Sequence, residues 1–209
     1  MIKLLVADDH AIVRKGIEQI IAETDDITVV DEASNGQEVL DKIKKTDYDL
    51  VLLDVSMPGR DGLEILKEVK IQRPKIAVLM LSMYPEEQYA VRALRSGASG
   101  YLTKESAPDE LIAAIRKVSS GHKYVSASLG EKLAVKLGNH SDRPLHEKLS
   151  DREFGIMCMI ASGKTQTEIA TELRLSVKTI STYRTRILTK MYMKSNAEIT
   201  RYAIENKLI

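Results

Sequence analysis

Five polar side chains stand out for the chemistry they could do together: Asp8, Asp9, Asp54, Ser82 and Lys104. Each comes at the end of a short apolar run. Asp8 and Asp9 follow Leu4-Leu5-Val6-Ala7, Asp54 follows Leu50-Val51-Leu52-Leu53, Ser82 follows Val78-Leu79-Met80-Leu81, and Lys104 ends the run that begins at Gly100. Crowded carboxylates repel one another unless a cation binds them, and hard oxygen ligands suit Mg²⁺. Such a cation would also offset the charge of an incoming phosphoryl group and align it for attack. A carboxylate can then act as nucleophile and form an acyl phosphate. The hydroxyl and the ammonium offer a donor and a positive charge to the phosphoryl oxygens. A lone aspartate at the end of an apolar run is usually a turn residue or a helix cap. Three carboxylates, a hydroxyl and a lysine at equivalent places point to one site instead. His10, next to two carboxylates, reads as a capping or solvated residue.

The elements that must position these groups follow from hydrophobic periodicity. The apolar runs at 4–7, 27–30, 50–53, 78–81 and 100–102 are brief and bounded by polar or turn residues, as buried strands are. Longer segments between them carry apolar residues three and four apart. Ile12, Ile17, Ile20 and Ile21 form one stripe and Val39, Leu40 and Ile43 a second. Leu63, Leu66 and Val69, with Lys70 at the end, form a third; Val91 and Leu94, then Leu111, Ile112 and Ile115, complete the set. Strand and helix alternating five times predict a doubly wound, flavodoxin-like, five-stranded parallel sheet. Ligands of such sheets bind beyond the carboxyl ends of the strands, which is where all five polar groups fall.

Composition narrows the function classes. The chain of 209 residues has room for two domains, and 44 % hydrophobic residues can fill a core. A single cysteine, Cys158 among apolar neighbours, excludes an intrachain disulfide and a cysteine zinc cluster. The N-terminal apolar run is too short for a signal peptide, and no stretch approaches the ~18 apolar residues of a membrane span. A cytoplasmic protein without membrane contact is expected. The net charge of +1 hides an asymmetry: residues 1–120 sum to −5 and residues 121–209 to +6. The C-terminal part alone is therefore suited to a polyanion.

Residues 121–145 are expected to be a linker. Leu129, Leu133 and Leu137 permit one short helix, and the Gly138-to-Pro144 run is a tether. From 146 the pattern is an all-α domain of four helices. Ser150-Asp151-Arg152-Glu153 is a capping box before Phe154, Met157, Ile160 and Ala161, and Gly163 stops that helix. A short helix follows at 167–173 with Ile169, Ala170 and Leu173 inward, then a turn at 174–176. Ser176 caps a third helix at 177–191 with Ile180, Ile187, Leu188 and Met191 inward, and a fourth covers 196–206 with Ile199, Ala203 and Ile204 inward. Two helices joined by a tight turn are a helix-turn-helix. Between Arg174 and Lys194 there are six basic residues and no acidic one. Lys178, Ser181, Thr182, Thr185 and Thr189 share the polar face, which suits close approach to the DNA major groove. An ordinary solvated face would mix charge signs.

Asp8-Asp9, the 53–62 run Leu-Asp-Val-Ser-Met-Pro-Gly-Arg-Asp-Gly, Ser82 and Tyr101-Leu102-Thr103-Lys104 resemble the receiver-domain signature of two-component response regulators. The resemblance covers residues 1–120. It implies that Asp54 is the phosphoacceptor, that Asp8, Asp9, Asp54 and the backbone carbonyl of Ser56 serve Mg²⁺, and that Ser82 and Lys104 grip the phosphoryl group. It also implies a switch pair, with the Ser82 hydroxyl moving to the phosphate and the Tyr101 ring turning inward. Two departures stand out. Glu105 follows the lysine where the family often has proline, so the cis peptide implied there would cost ~3 kcal/mol. Ser56 stands where a haloacid-dehalogenase-type phosphatase would need a second aspartate.

Leu149-Ser150-Asp151-Arg152-Glu153, the 163–170 run Gly-Lys-Thr-Gln-Thr-Glu-Ile-Ala, and the 175–183 run Leu-Ser-Val-Lys-Thr-Ile-Ser-Thr-Tyr resemble the LuxR-type helix-turn-helix of the NarL/FixJ subfamily, over residues 146–209. The DNA-contacting set is then Lys178, Thr179, Ser181, Thr182, Arg184, Thr185 and Arg186, with the fourth helix able to pair two copies. Together the resemblances imply a regulator, not a turnover enzyme, that catalyses only its own Mg²⁺-dependent phosphoryl transfer and dephosphorylation. Its partners would be a sensor histidine kinase, double-stranded DNA, a second copy when phosphorylated, and RNA polymerase. The competing reading is a phosphotransfer enzyme or phosphatase with a basic accessory domain.

Overall fold

The computed structural model describes all residues except 58, 85, 127, 128 and 131–143, and the side chains of Glu87 and Gln88. Most of the connector, including Leu133 and Leu137, lies outside the described residues. The chain divides into two compact units, Met1–Leu133 and Ala134–Ile209.

In the first unit, strands β1 (Ile2–Ala7), β2 (Ile27–Ala33), β3 (Leu50–Asp54), β4 (Ala77–Ser82) and β5 (Gly100–Thr103) alternate with helices α1 (Ala11–Ala22), α2 (Gly36–Lys45), α3 (Gly62–Gln72), α4 (Glu86–Arg95) and α5 (Pro108–Ser119). The sheet order is β2-β1-β3-β4-β5, and every pairing is parallel. β3 and β4 are buried along their whole length, as strands covered on both faces must be. Alternation divides the core. Leu4, Val6, Leu50, Leu52, Leu79, Leu81 and Leu102 pack with Ile17 and Ile21 of α1 and Leu111, Ile115 and Val118 of α5. The intervening residues, such as Val51, Leu53, Val78 and Met80, are equally buried on the opposite face.

Two helix stripes differ from expectation. Ile12 is 83 % exposed, and Val13 takes the inward place on α1. Position 12 precedes Ile17 by five residues, which at 3.6 per turn turns it well off the core-facing stripe. On α4 the inward face is Tyr89, Ala90 and Ala93, while Val91 and Leu94 are only half-buried. The small alanines let this helix lie close against β5. The chain also stays on this unit beyond 120. Tyr124 bridges to Gly100, its N–H donates to the Ser99 carbonyl at 2.9 Å, and its hydroxyl donates to Glu110 at 2.8 Å.

Among its described residues the second unit has a 3₁₀ turn, Leu145–Lys148, followed by α6 (Asp151–Ala161), α7 (Gln166–Glu172), α8 (Val177–Met191) and α9 (Asn196–Glu205). All four helices start with a hydroxyl N-cap, respectively Ser150, Thr165, Ser176 and Ser195, each accepting a backbone N–H. α6 is buried on nearly all sides and packs against α8 and α9. Ile204, expected inward, is exposed; Leu208 past the end of α9 is buried instead. Arg174 in the turn before α8 and Tyr192 at its end have φ of 52° and 57°, the left-handed turn that ends a helix within one residue.

One buried charge ties these helices together. Glu153 accepts the Ser150 N–H at 2.8 Å and the Lys190 ammonium at 2.6 Å. Burial opposes its ionisation, but Lys190 and Ser150 outweigh that and hold the carboxyl below its ordinary value. Glu153→Gln keeps the shape and removes the charge. It should lower the stability of the second unit by about 1–2 kcal/mol near neutral pH. Because the folded-state value is depressed, this contribution is present above the unfolded-state pKa and is lost as pH falls through the folded one. Denaturant melts across a series from pH 7 into the acid range test this: parent and variant should differ at pH 7, and the difference should shrink as the pH falls.

Candidate functional site

The parallel sheet brings the five polar groups to one edge. β1 ends at Ala7 and delivers Asp8 and Asp9, β3 ends on Asp54, β4 ends on Ser82, and β5 ends just before Lys104. Because β3 lies between β1 and β4, Asp54 is central. Lys104 Nζ stands 2.7 Å from Asp8 Oδ2 and 3.0 Å from Asp54 Oδ2, with both carboxylates 1 % exposed. Asp54 Oδ1 accepts the Ser56 N–H at 3.1 Å, and Asp8 Oδ1 accepts the His10 N–H at 2.8 Å. The Asp8 carbonyl is held by Arg14 Nη1 at 2.7 Å.

The electrostatics are those of a site short of positive charge. Burial raises the Asp54 carboxyl above its ordinary value; Asp8 adds to the rise and Lys104 opposes it. For Lys104, burial disfavours the charge, yet Asp54 and Asp8 more than compensate and its value is raised. One ammonium thus faces two carboxylates, with the Asp9 carboxylate close by. Ligand atoms of Asp8, Asp9, His10 and Asp54 all lie within 4.8 Å of one another, so the cluster could hold a metal ion. The two oxygens facing Lys104, Asp8 Oδ2 and Asp54 Oδ2, are buried without a well-directed hydrogen bond. Hard, buried, anionic oxygens of this kind fit a divalent cation.

The loop after β3 is shaped by glycine. A Cβ on Gly62 would stand 2.2 Å from the Asp54 carbonyl oxygen and 2.8 Å from Val55 Cα. The Gly62 N–H donates to the Val55 carbonyl at 2.9 Å, and Asp61 caps α3 by accepting the Leu63 N–H at 2.8 Å. The loop therefore folds back directly under Asp54.

Ser82 and Tyr101 sit beside the cluster. Ser82 Oγ accepts the Tyr84 N–H at 3.0 Å. The Tyr101 hydroxyl donates to the Tyr84 carbonyl at 2.8 Å and also lies against Ser82. Burial pushes the Tyr101 phenol well above its ordinary value, so it remains a neutral donor. Its ring is wholly buried. Tyr84 was missing from the expected residues although its backbone joins the pair; two-residue spacing from Ser82 was its only signal. No cis peptide occurs among the described residues, so the costly cis bond expected before Glu105 is absent.

The second unit carries a basic surface. On α8, Ile180, Ile187 and Met191 are buried, whereas Lys178, Ser181, Thr182, Thr185, Arg186 and Thr189 are exposed. Thr179 and Arg184 are half-buried. Leu188, expected inward, is half-buried too. Three threonine hydroxyls donate back along the helix: Thr182 to Lys178, Thr185 to Ser181 and Thr189 to Thr185, at 3.0, 3.1 and 3.0 Å. This leaves their methyls and remaining lone pairs outward. Arg184 Nε donates to Asn196 Oδ1 at 2.7 Å, which links α8 to α9. Among the described residues no helix is long and apolar enough to cross a membrane.

The chain matches the response regulator receiver domain family over residues 4–116 and the luxR family of bacterial regulatory proteins over residues 147–203. It is similar to the response regulator UvrY of Escherichia coli (strain K12), 35 % identical over 209 residues that cover 100 % of this chain and 96 % of that one. It is also similar to the oxygen regulatory protein NreC of Staphylococcus carnosus (strain TM300), 36 % identical over 99 % of both chains. Among solved structures, RcsB from Salmonella enterica serovar Typhimurium, bound to promoter rprA with phosphomimetic BeF₃⁻, aligns with a TM-score of 0.65 at 26 % identity. That alignment covers 97 % of this chain and 98 % of RcsB.

The backbone approach under Asp54 yields a direct test. Gly62→Ala must displace the Asp54 carbonyl, and overpacking against backbone should cost about 1–3 kcal/mol. Urea denaturation of the parent and variant measures it; a change below a few tenths would mean that the loop gives way freely.

Proposed function

This chain belongs to the response regulators that join a receiver domain to a LuxR-type DNA-binding domain, and we propose that phosphorylation at Asp54 controls how it binds DNA and regulates transcription. The observation that carries this reading is the Lys104 ammonium shared between buried Asp8 and Asp54 at 2.7 and 3.0 Å. A carboxylate central in the site and held beside a cation-hungry cluster is suited to phosphoryl acceptance.

In the proposed step, an Asp54 carboxylate oxygen attacks the phosphorus of a sensor kinase's phosphohistidine. The new O–P bond replaces the P–N bond, and the kinase imidazole leaves. Asp8, Asp9, Asp54 and the Ser56 carbonyl would hold Mg²⁺, whose chemistry is to offset the negative charge of the phosphoryl oxygens. Lys104 then has a further anion to bind, and its ammonium turns from the carboxylates to a phosphoryl oxygen. The Ser82 hydroxyl is free to donate there once it leaves the Tyr84 N–H. Since Tyr101 bonds the same Tyr84 backbone, movement of Ser82 is transmitted to the segment that leads into α4.

The receiver is assigned to residues 1–120 and the DNA-binding domain to 146–209. On the DNA side, Lys178, Thr179, Ser181, Thr182, Arg184, Thr185 and Arg186 are assigned to the groove and the phosphates beside it. Paired copies would read half-sites about one helical turn apart. The action belongs to the cytoplasm, with a sensor histidine kinase upstream and RNA polymerase at the promoter. The structure of RcsB bound to promoter rprA in the presence of phosphomimetic BeF₃⁻ supports a reading in which one chain has both activities.

Asp54→Asn should accept no phosphoryl group from acetyl phosphate in Mg²⁺, whereas the parent gains one. Intact-mass spectrometry reads the difference, and equal labelling of both would refute the assignment.

The DNA contacts should divide by role. Arg186→Ala removes a phosphate contact, so it should weaken operator and random duplexes alike and reduce the salt slope by about one unit. Thr182→Ala removes groove contact near the start of α8 and should cost ~1–3 kcal/mol on the operator and little on random DNA. Binding titrations on both duplexes across a salt series separate the two; identical losses for both variants on both DNAs would contradict the placement of α8 in the groove.

A further inference from the structure

His10 occupies the N-cap position of α1 with extended backbone, φ −90° and ψ 107°, but its side chain makes no capping bond. Of the two expected roles, capping and solvation, the structure keeps the second: the side chain is largely exposed and does not cap. Its ring instead turns back over the acidic cluster. Nδ1 stands 2.9 Å from Asp9 Oδ1 and 3.2 Å from Asp8 Oδ1. The side chain is 64 % exposed, so packing does not force this orientation. The Asp8 carboxylate also accepts the His10 backbone N–H, which fixes the start of the side chain over the site.

These spacings have a simple meaning in coordination chemistry. Adjacent ligands on a six-coordinate ion with bonds of ~2.1 Å lie ~3.0 Å apart, and opposite ones lie ~4.2 Å apart. Nδ1 stands from both carboxylates at about the separation of neighbouring ligands, and the whole set lies within 4.8 Å, so its widest pair must draw together by about half an ångström to meet one ion. The donor set is then three carboxylates and one imidazole. All-oxygen sites suit Mg²⁺, while imidazole favours borderline cations, and affinity rises along the first-row series towards Ni²⁺ and Cu²⁺.

We propose that His10 is a nitrogen ligand of the cation site and lets Co²⁺, Ni²⁺ or Zn²⁺ bind there in competition with Mg²⁺. The inference rests on the reading that Asp8, Asp9 and Asp54 hold a divalent cation. Without metal, an Nδ1–H faces the carboxylates. On binding a borderline cation, a neutral ring shifts to the Nε2–H tautomer and its Nδ1 lone pair meets the metal; a protonated ring also releases one proton to solvent. Mg²⁺ gains little from the ring and leaves it in water. The receiver would then report the identity of the available divalent cation as well as its phosphorylation state.

The test uses the tag-free full chain with Co²⁺, whose visible absorption reports nitrogen ligation, and Mg²⁺ as competitor. The parent should bind one Co²⁺ that excess Mg²⁺ displaces. His10→Gln should reduce the preference for Co²⁺ over Mg²⁺ at least tenfold and shift the absorption towards an all-oxygen spectrum, with its thermal melt matching the parent. An unchanged preference and spectrum would overturn the role of His10 while leaving the Mg²⁺ site intact. Asp9→Asn should lose the Co²⁺ band; if it keeps the band, Co²⁺ sits at another histidine and the inference falls. Failure of the parent to bind Mg²⁺ in a direct titration would instead remove the cation site itself, and this inference with it.

Discussion

The receiver unit depends on one electrostatic constraint: a single buried ammonium, that of Lys104, faces the carboxylates of Asp8 and Asp54 with Asp9 close by. Desolvated charges of one sign in such proximity raise each other's energy unless something answers them. The ammonium answers only in part. That residue of uncompensated charge leaves a cluster that could hold a metal ion. The fold supplies the crowding. In a parallel sheet every strand runs the same way, so the ends of β1, β3, β4 and β5 deliver their polar residues to a common edge. Full burial of β3 and β4 holds those ends with little freedom to relax apart.

The DNA-binding unit solves a different problem with a similar device. Its helices are short, and the hydroxyl caps on all four satisfy backbone donors that short helices leave exposed. The exposed face of α8 must stay free of internal partners to meet a polyanion. Two basic residues are exceptions: Lys190 is spent on Glu153 of α6, and Arg184 leans on Asn196 of α9. These two contacts orient the helix. Along the exposed face the hydroxyls of Thr182, Thr185 and Thr189 donate back to carbonyls one turn earlier, which the sequence alone does not show.

Strand positions were readable because buried parallel strands are short continuous apolar runs between turn residues, a pattern few other elements share. Helix faces were less so. The periodicity of α1 admitted Ile12 as well as Val13, and only packing against the sheet decided between them. On α4 the eye goes to Val91 and Leu94, but close approach to β5 favours the small side chains of Ala90 and Ala93. Ile204 and Leu208 exchanged places for a related reason: the chain turns back after Glu205, and the residue past the helix end reaches the core that the helix itself cannot.

What the sequence determined by itself was chemistry and order: which groups can accept, donate and neutralise, and that each follows a strand. Those properties are local, since residue type and periodicity are written in neighbouring positions. Only the tertiary structure decided which of these groups share a proton donor or a charge. Lys104 and Asp8 are 96 positions apart in the chain, and no local pattern shows that an ammonium at the end of β5 reaches past Asp54 to Asp8. The ring of His10 is the sharpest case. Its sequence neighbours suggest a cap or a solvated side chain, and that the ring lies over the carboxylates depends on where the backbone of α1 begins relative to a site assembled from other strands.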